Sequence, residues 1–190
     1  MKVLIVSEGK HERCGAIQAL VTRLATNDLA LDYDRVSRPD IHAHHGKGRG
    51  YYKRALRWLF EAAKRGHDAL VLVIDEDGRS ERVEQINQAQ KTELNPLRRA
   101  FGVAIRTFDA WMLADEEALT EVLGLQVQRQ SDPERERDPK GVCKDLLDSS
   151  PRPMSQSQMY AAVADRTSIQ RLEERCPRGF APFAGRVRAL

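Results

Sequence analysis

Two short runs, Val3–Val6 and Ala69–Ile74, constrain this chain more than anything else in it. Each is continuously apolar and rich in β-branched residues. A half-buried strand would alternate polar with apolar side chains, whereas an unbroken run of this length suits a strand covered on both faces. Helical periodicity lies between and after the runs. Cys14, Ile17, Leu20, Val21 and Leu24 recur at spacings of three and four, and so do Leu56, Leu59, Phe60 and Ala63 within Tyr51–Arg65, which Gly66 stops. Apolar strands alternating with amphipathic helices predict an α/β fold: a mostly parallel, Rossmann-like sheet with helices on both faces. In such sheets ligands sit at the carboxyl ends of the strands.

The remaining elements follow from the same rules. The sequence predicts strands at Lys2–Ser7, Tyr33–Ser37 and Gly102–Arg106, and a largely helical Arg79–Ala100 in which Pro96 starts a new turn. Phe108–Leu123 reads as one helix ending at Gly124. Three regions result: a core over 1–127, a polar and partly mobile loop over 128–140 (QRQSDPERERDPK from Gln128), and a helical C-terminal extension over 141–190 packed on the core. Helices are predicted there at Val142–Leu147, Gln156–Ala164 and Ile169–Glu174, with Phe180 and Phe183 pinning the tail. Trp58 and Trp111 read as core, and His67 as a loop residue without a role.

Composition narrows the class. With 190 residues, 41% hydrophobic and 31% charged, the chain can bury a real core. No apolar run approaches the ~20 residues of a membrane span, so no membrane partner is expected. Three widely spaced cysteines, Cys14, Cys143 and Cys176, form no C-x-x-C pair, and no secretory pattern precedes the first strand; a reduced, cytoplasmic setting is expected. The net charge of +3 hides an asymmetry. Nine Lys or Arg against two acids between Arg35 and Arg65 give that segment +7, while the rest of the chain is net acidic. A local basic patch on a near-neutral chain suits an anionic partner. Within it, His42, His44 and His45 precede G-K-G-R-G, which lacks the spacing of a phosphate-binding P-loop, and the histidines lack nearby cysteines for a zinc site. Lys47, Arg49, Lys53 and Arg54 are candidates to neutralise nucleic-acid phosphates, with Tyr51 or Tyr52 stacking on a base.

Carboxylates gather at the strand ends. Glu8 follows the first apolar run, Asp75 and Asp77 follow the second as D-x-D-G, and Asp109 follows the third strand. Glu12, four residues after Glu8, can return to the same edge from a helix. Crowded carboxylates repel, and a hard divalent cation relieves that repulsion. The same D-x-D-G also suits a simple turn with helix-capping carboxylates.

Together, V-L-I-V-S-E-G-K-H-E, L-V-L-V-I-D-E-D-G and R-T-F-D-A-W-M-L-A-D resemble the TOPRIM fold. They resemble most a family of small bacterial TOPRIM-like proteins akin to the nuclease domain of OLD-type proteins, as do Pro139-Lys140, Tyr160 and the run Cys176–Phe183. The resemblance implies Mg²⁺- or Mn²⁺-dependent hydrolysis of phosphodiesters in DNA or RNA, with one or two ions. It implies Glu8, Glu12, Asp75 and Asp77 as metal ligands. Asp109 would support a second ion, although the family often shows Glu there, and Asp115 matches a later acid. Lys10 is the first candidate to face the charge developing in the reaction. The resemblance also implies a role in bacterial defence beside an ATPase partner. Two other readings stand beside it. One is a non-catalytic regulatory or recruiting subunit. The other is a HAD-like phosphatase with Asp75 as nucleophile and Asp77 as acid, against which Arg79 stands where that family has Thr.

Overall fold

Four parallel strands, β1 (Lys2–Ser7), β2 (Ala30–Arg35), β3 (Ala69–Asp75) and β4 (Arg98–Ala104), form one sheet in the order β2-β1-β3-β4. The computed structural model describes residues 1–9, 15–38, 41 and 50–190. The two continuously apolar runs are the two central strands, as their burial on both faces requires. Val3 and Ile5 of β1, with Val71 and Val73 of β3, enter one core. Leu4 and Val6, with Leu70, Leu72 and Ile74, enter the other. The α/β class with a parallel sheet is therefore the observed one.

Each face is covered by helices whose apolar stripes match it. Helix α1 (Ala16–Leu24) covers the first face through Ala16, Ile17, Leu20, Val21 and Leu24. Helices α2 (Tyr51–Lys64) and α3 (Glu81–Gln90) cover the second through Ala55, Trp58, Leu59, Ala62, Ile86 and Ala89. After β4 the chain returns to the first face. There α4 (Asp109–Met112), α5 (Glu116–Leu123), α6 (Pro139–Asp148), α7 (Gln156–Arg166), α8 (Ile169–Arg175) and α9 (Phe180–Arg188) extend the core that α1 begins. Among the described residues no helix is long and apolar enough to cross a membrane.

Several boundaries differ from expectation, each for a local reason. The helix expected over Arg79–Ala100 ends at Gln90, and β4 starts at Arg98. Between them the Asn95 side chain accepts a bond from the Leu97 N–H (2.8 Å), an Asx turn around Pro96. Arg99 ties down the same loop through the Thr92 carbonyl (3.0 Å). The helix expected over Phe108–Leu123 is two helices, because Asp115 caps α5 by accepting from the Glu117 and Ala118 N–H groups. Strand β2 lies a few residues earlier than expected. The polar stretch after Gln128 is anchored: Pro133–Arg135 form a 3₁₀ turn, and the buried Glu134 accepts from the backbone N–H of Arg178 (3.1 Å) and Gly179 (2.7 Å). His67 is buried rather than idle, its Nε2 2.9 Å from Asp32.

The tail is pinned where the sequence expects, but as a helix. Phe183 of α9 stacks on Trp111 with ring centroids 5.4 Å apart, and Phe180 meets the same indole edge-on at 5.2 Å. Gly102 of β4 makes room for it: a Cβ there would lie 2.8 Å from the Phe183 ring. Replacing Phe183 by Ala should leave a cavity in this aromatic cluster and cost about 3–5 kcal/mol of folding stability. Urea denaturation measures it, and a loss below ~1 kcal/mol would show that α9 is not part of the cooperative core.

Candidate functional site

The order β2-β1-β3-β4 sends the chain from β1 outward in two directions, to β2 on one side and β3 on the other. The carboxyl ends of β1 and β3 therefore flank the crevice where doubly wound sheets bind ligands. Ser7 pairs with Val73, which brings Glu8, one residue on, to the level of Ile74 and Asp75. Glu8 closes the crevice: its Oε2 accepts from the Asp75 backbone N–H at 3.0 Å, and its Oε1 accepts from the Tyr51 hydroxyl at the start of α2.

Asp75, the last residue of β3, turns its Oδ1 to the Phe108 N–H at 2.8 Å. Asp77 does not continue the strand's alternation. Its φ of 51° and the 69° of Gly78 are left-handed, so the chain reverses at the second Asp of the D-x-D. The Glu76 and Asp77 N–H groups meanwhile bond the Ala104 and Arg106 carbonyls, both at 2.9 Å, which fixes the turn against the end of β4.

The positive charge among these acids is a side chain. Arg82, in the first turn of α3, places Nη1 2.8 Å from Asp77 Oδ2, 2.6 Å from the Asp75 carbonyl and 3.7 Å from Glu8 Oε2. Its guanidinium lies over the Tyr51 ring at 4.5 Å, and Arg54 approaches the same ring at 4.8 Å. The side chain is 8% exposed. Burial by itself would lower the Arg82 pKa, but Tyr51, Asp77 and Glu8 hold it above its ordinary value. Burial, then the bond to Glu8 and its charge, pushes the Tyr51 phenol up to about 12.

Beside the acids opens a pocket of about 520 Å³ lined by Tyr51, Arg54, Arg79, Glu81, Arg82 and Gln85. Gln85 joins its two walls by accepting the Tyr51 N–H at 2.6 Å.

The expected site residues are thus distributed unequally. Glu8, Asp75 and Asp77 meet at one crevice, Tyr51 and Arg54 border it, and Lys53 is exposed on α2. Tyr51 was expected to stack on a base; its hydroxyl is bound to Glu8 and its ring lies against two arginines. Asp109 is buried, and its Oδ1 is taken up by the Tyr160 hydroxyl and Gln156 Nε2 on α7. Asp115 is the buried cap of α5, bonded also to the Ser168 N–H (2.7 Å) and paired with Arg171. Lys10, Glu12, Lys47 and Arg49, like His42, His44 and His45, lie outside the described residues. Neither Arg79 nor Arg82 was expected as a site residue. Their signal was available: two arginines just after the D-x-D, around a helix start where acids are the favoured residues.

Among the described residues no three His, Cys, Asp or Glu side chains are grouped to hold a metal. The donor chemistry nevertheless fits Mg²⁺ or Mn²⁺. Mg²⁺ is commonly held by one or two carboxylates, with waters and substrate phosphate completing its shell. Glu8 and Asp77 supply two hard oxygen donors from different strand ends, already converging on one cation. No family model, curated protein or solved structure matches the chain.

The Tyr51–Glu8 contact has a pH signature. A raised phenol pKa means that the folded state favours the protonated form. Its stabilising contribution is whole below pH ~10 and is lost as pH rises from there toward about 12. The tyrosinate absorbance of the native protein minus that of the Tyr51→Phe variant should titrate near pH 12. Glu8→Gln should move that difference to lower pH while leaving it above 10, since the neighbouring charge is gone but burial, the larger cause, remains. A position unmoved by Glu8→Gln would contradict the contact.

Proposed function

We propose that this chain is a Mg²⁺- or Mn²⁺-dependent nuclease of TOPRIM-like type, hydrolysing phosphodiester bonds of DNA or RNA. The observation that carries this reading is the convergence of Glu8 and the Asp75–Asp77 turn at the β1–β3 switch point, beside an arginine-lined pocket. Acidic groups beside cationic ones, at the ligand-binding edge of a parallel sheet, suit a substrate that carries phosphate and brings or shares a metal ion. The +7 segment from Arg35 to Arg65, which includes α2, supports a polyanionic substrate.

In this mechanism Glu8 and Asp77 hold the ion through their carboxylates. When bound, the ion polarises the phosphoryl oxygens and makes a nucleophile of water near neutral pH. Tyr51 acts as a positioning residue: its hydroxyl fixes the Glu8 rotamer, and its own ring is held by contacts with Arg54 and Arg82. Asp75 contributes less through its carboxylate, held by Phe108, than through its N–H, which orients Glu8. Lys53 and Arg54 on α2 neutralise substrate phosphates. In this reading the protein works in the cytoplasm and beside an ATPase partner.

Cleavage of plasmid and end-labelled oligonucleotides in Mg²⁺ or Mn²⁺, with chelator controls, tests the proposal. Glu8→Gln and Asp77→Asn should each lower cleavage by about 10²-fold or more, as expected when a metal worth several kcal/mol to the transition state is lost. Tyr51→Phe should cost less, about tenfold, because it frees a ligand without removing it. Cleavage that persists in chelator, or is untouched by Glu8→Gln and Asp77→Asn, excludes this mechanism.

A further inference from the structure

The pocket beside the acidic edge holds more positive charge than its own walls neutralise. Among the described residues Arg54, Arg79 and Arg82 line it against one acid, Glu81. Arg82 is paired with the strand-end acids, but among the described residues neither Arg54 nor Arg79 has a side-chain hydrogen bond or ion pair, and Arg54 lies against the Tyr51 ring. Three guanidinium groups gathered around one cavity repel one another unless an anion joins them.

The walls are built rather than incidental. Gly50 enters α2 with φ 119°, and a Cβ there would lie 2.6 Å from the Gln85 amide oxygen that receives the Tyr51 N–H. That close approach locks the start of α2 to α3, so Arg54 and Arg82 face the cavity from two helices held in register. Arg82 is 7% exposed, and its Nε has no hydrogen-bond partner among the described residues. A nearly buried arginine that lines a cavity with two further arginines brings to it the planar, multi-donor group by which arginine takes up phosphate oxygens.

We propose that this cavity is a phosphate-binding subsite and that Arg82 is shared between it and the acidic edge. Its assignment to a backbone phosphate flanking the bond to be cut rests on the function proposed above. Phosphate binding itself requires neither metal nor nucleic acid. Arg82 Nη1 is held by Asp77 Oδ2 and the Asp75 carbonyl. A phosphate seated on Arg54 and Arg79 competes with Asp77 for the Arg82 charge. What weakens the hold of Asp77 strengthens the hold on phosphate, and the coupling is reciprocal: phosphate in the cavity leaves Glu8 and Asp77 freer to take another cation.

Calorimetric titration of inorganic phosphate into chelator-treated protein tests this. The wild type should bind, and Arg54→Ala/Arg79→Ala should bind at least tenfold more weakly. Asp77→Asn should bind several-fold more tightly, since the competing charge is gone and Asn accepts the left-handed φ of position 77. Thermal melting checks the fold of each variant. Should the double variant melt early, Arg79→Ala alone, at an exposed position, should still weaken binding several-fold. Three results would each overturn the proposal: no phosphate binding by wild type up to about 10 mM, equal binding by the arginine variants, or no tightening in a folded Asp77→Asn protein. Because no metal or nucleic acid is present, a failed cleavage assay leaves the subsite standing, and a failed phosphate titration leaves the nuclease reading to the cleavage assay.

Discussion

The pairing of β1 with β3 sets the position of every polar group at the site. Both strands are apolar on both faces, so neither can lie at an edge without exposing a hydrophobic row, and the sheet places them side by side at its centre. Their register then leaves no freedom: Ser7 beside Val73 puts Glu8 across from the end of β3, where its carboxylate meets the Asp75 N–H. A one-residue slip would turn all the inward side chains of either strand to the wrong core. The acidic edge is thus held in place by the burial of some ten aliphatic side chains beneath it, not by its own contacts.

That placement carries an electrostatic debt, met from within the chain. Carboxylates brought together at a half-buried edge lose hydration and repel. Arg82 answers Asp77 and Glu8 directly, and Tyr51 answers Glu8 with a hydroxyl whose ring also faces the Arg82 cation. Asp75 is satisfied separately, by a backbone N–H. Acid, cation and aromatic therefore form one network across β1, α2, β3 and α3.

What was legible in the sequence followed from short-range pattern. Continuous runs gave the central strands, the spacing of apolar residues gave α1 and α2 within a few residues, and the residues leaving those runs named Glu8, Asp75 and Asp77. Features that depend on tertiary contact were not legible. Helix α3 stops at Gln90 because Arg99 and Asn95 organise the following loop through side-chain-to-backbone contacts that propensity does not weigh. Asp115 looked like one more acid on a continuous helix, yet its oxygen begins a new one. Alternation along an ideal strand would point Asp75 and Asp77 the same way. The left-handed turn at Asp77 divides them, so one carboxylate faces Phe108 and the other Arg82. Arg82 left a sequence signal, a base near a helix start, but its partners became evident only once the strand ends were placed beside it.

Asp109 shows how the C-terminal helices reach the crevice without entering it. The Tyr160 hydroxyl and Gln156 of α7 fix its carboxylate, and the Cys143 thiol of α6 donates to its carbonyl at 3.7 Å. Burial and the Asp109 charge push that thiol well above its ordinary range, so it stays a neutral donor. The residue before Asp109 is Phe108, whose N–H holds Asp75 and whose ring packs 5.4 Å from Trp111. Fixing Asp109 therefore fixes the peptide that orients Asp75. The helices after Gly124 thus belong to the same mechanical unit as the strand ends.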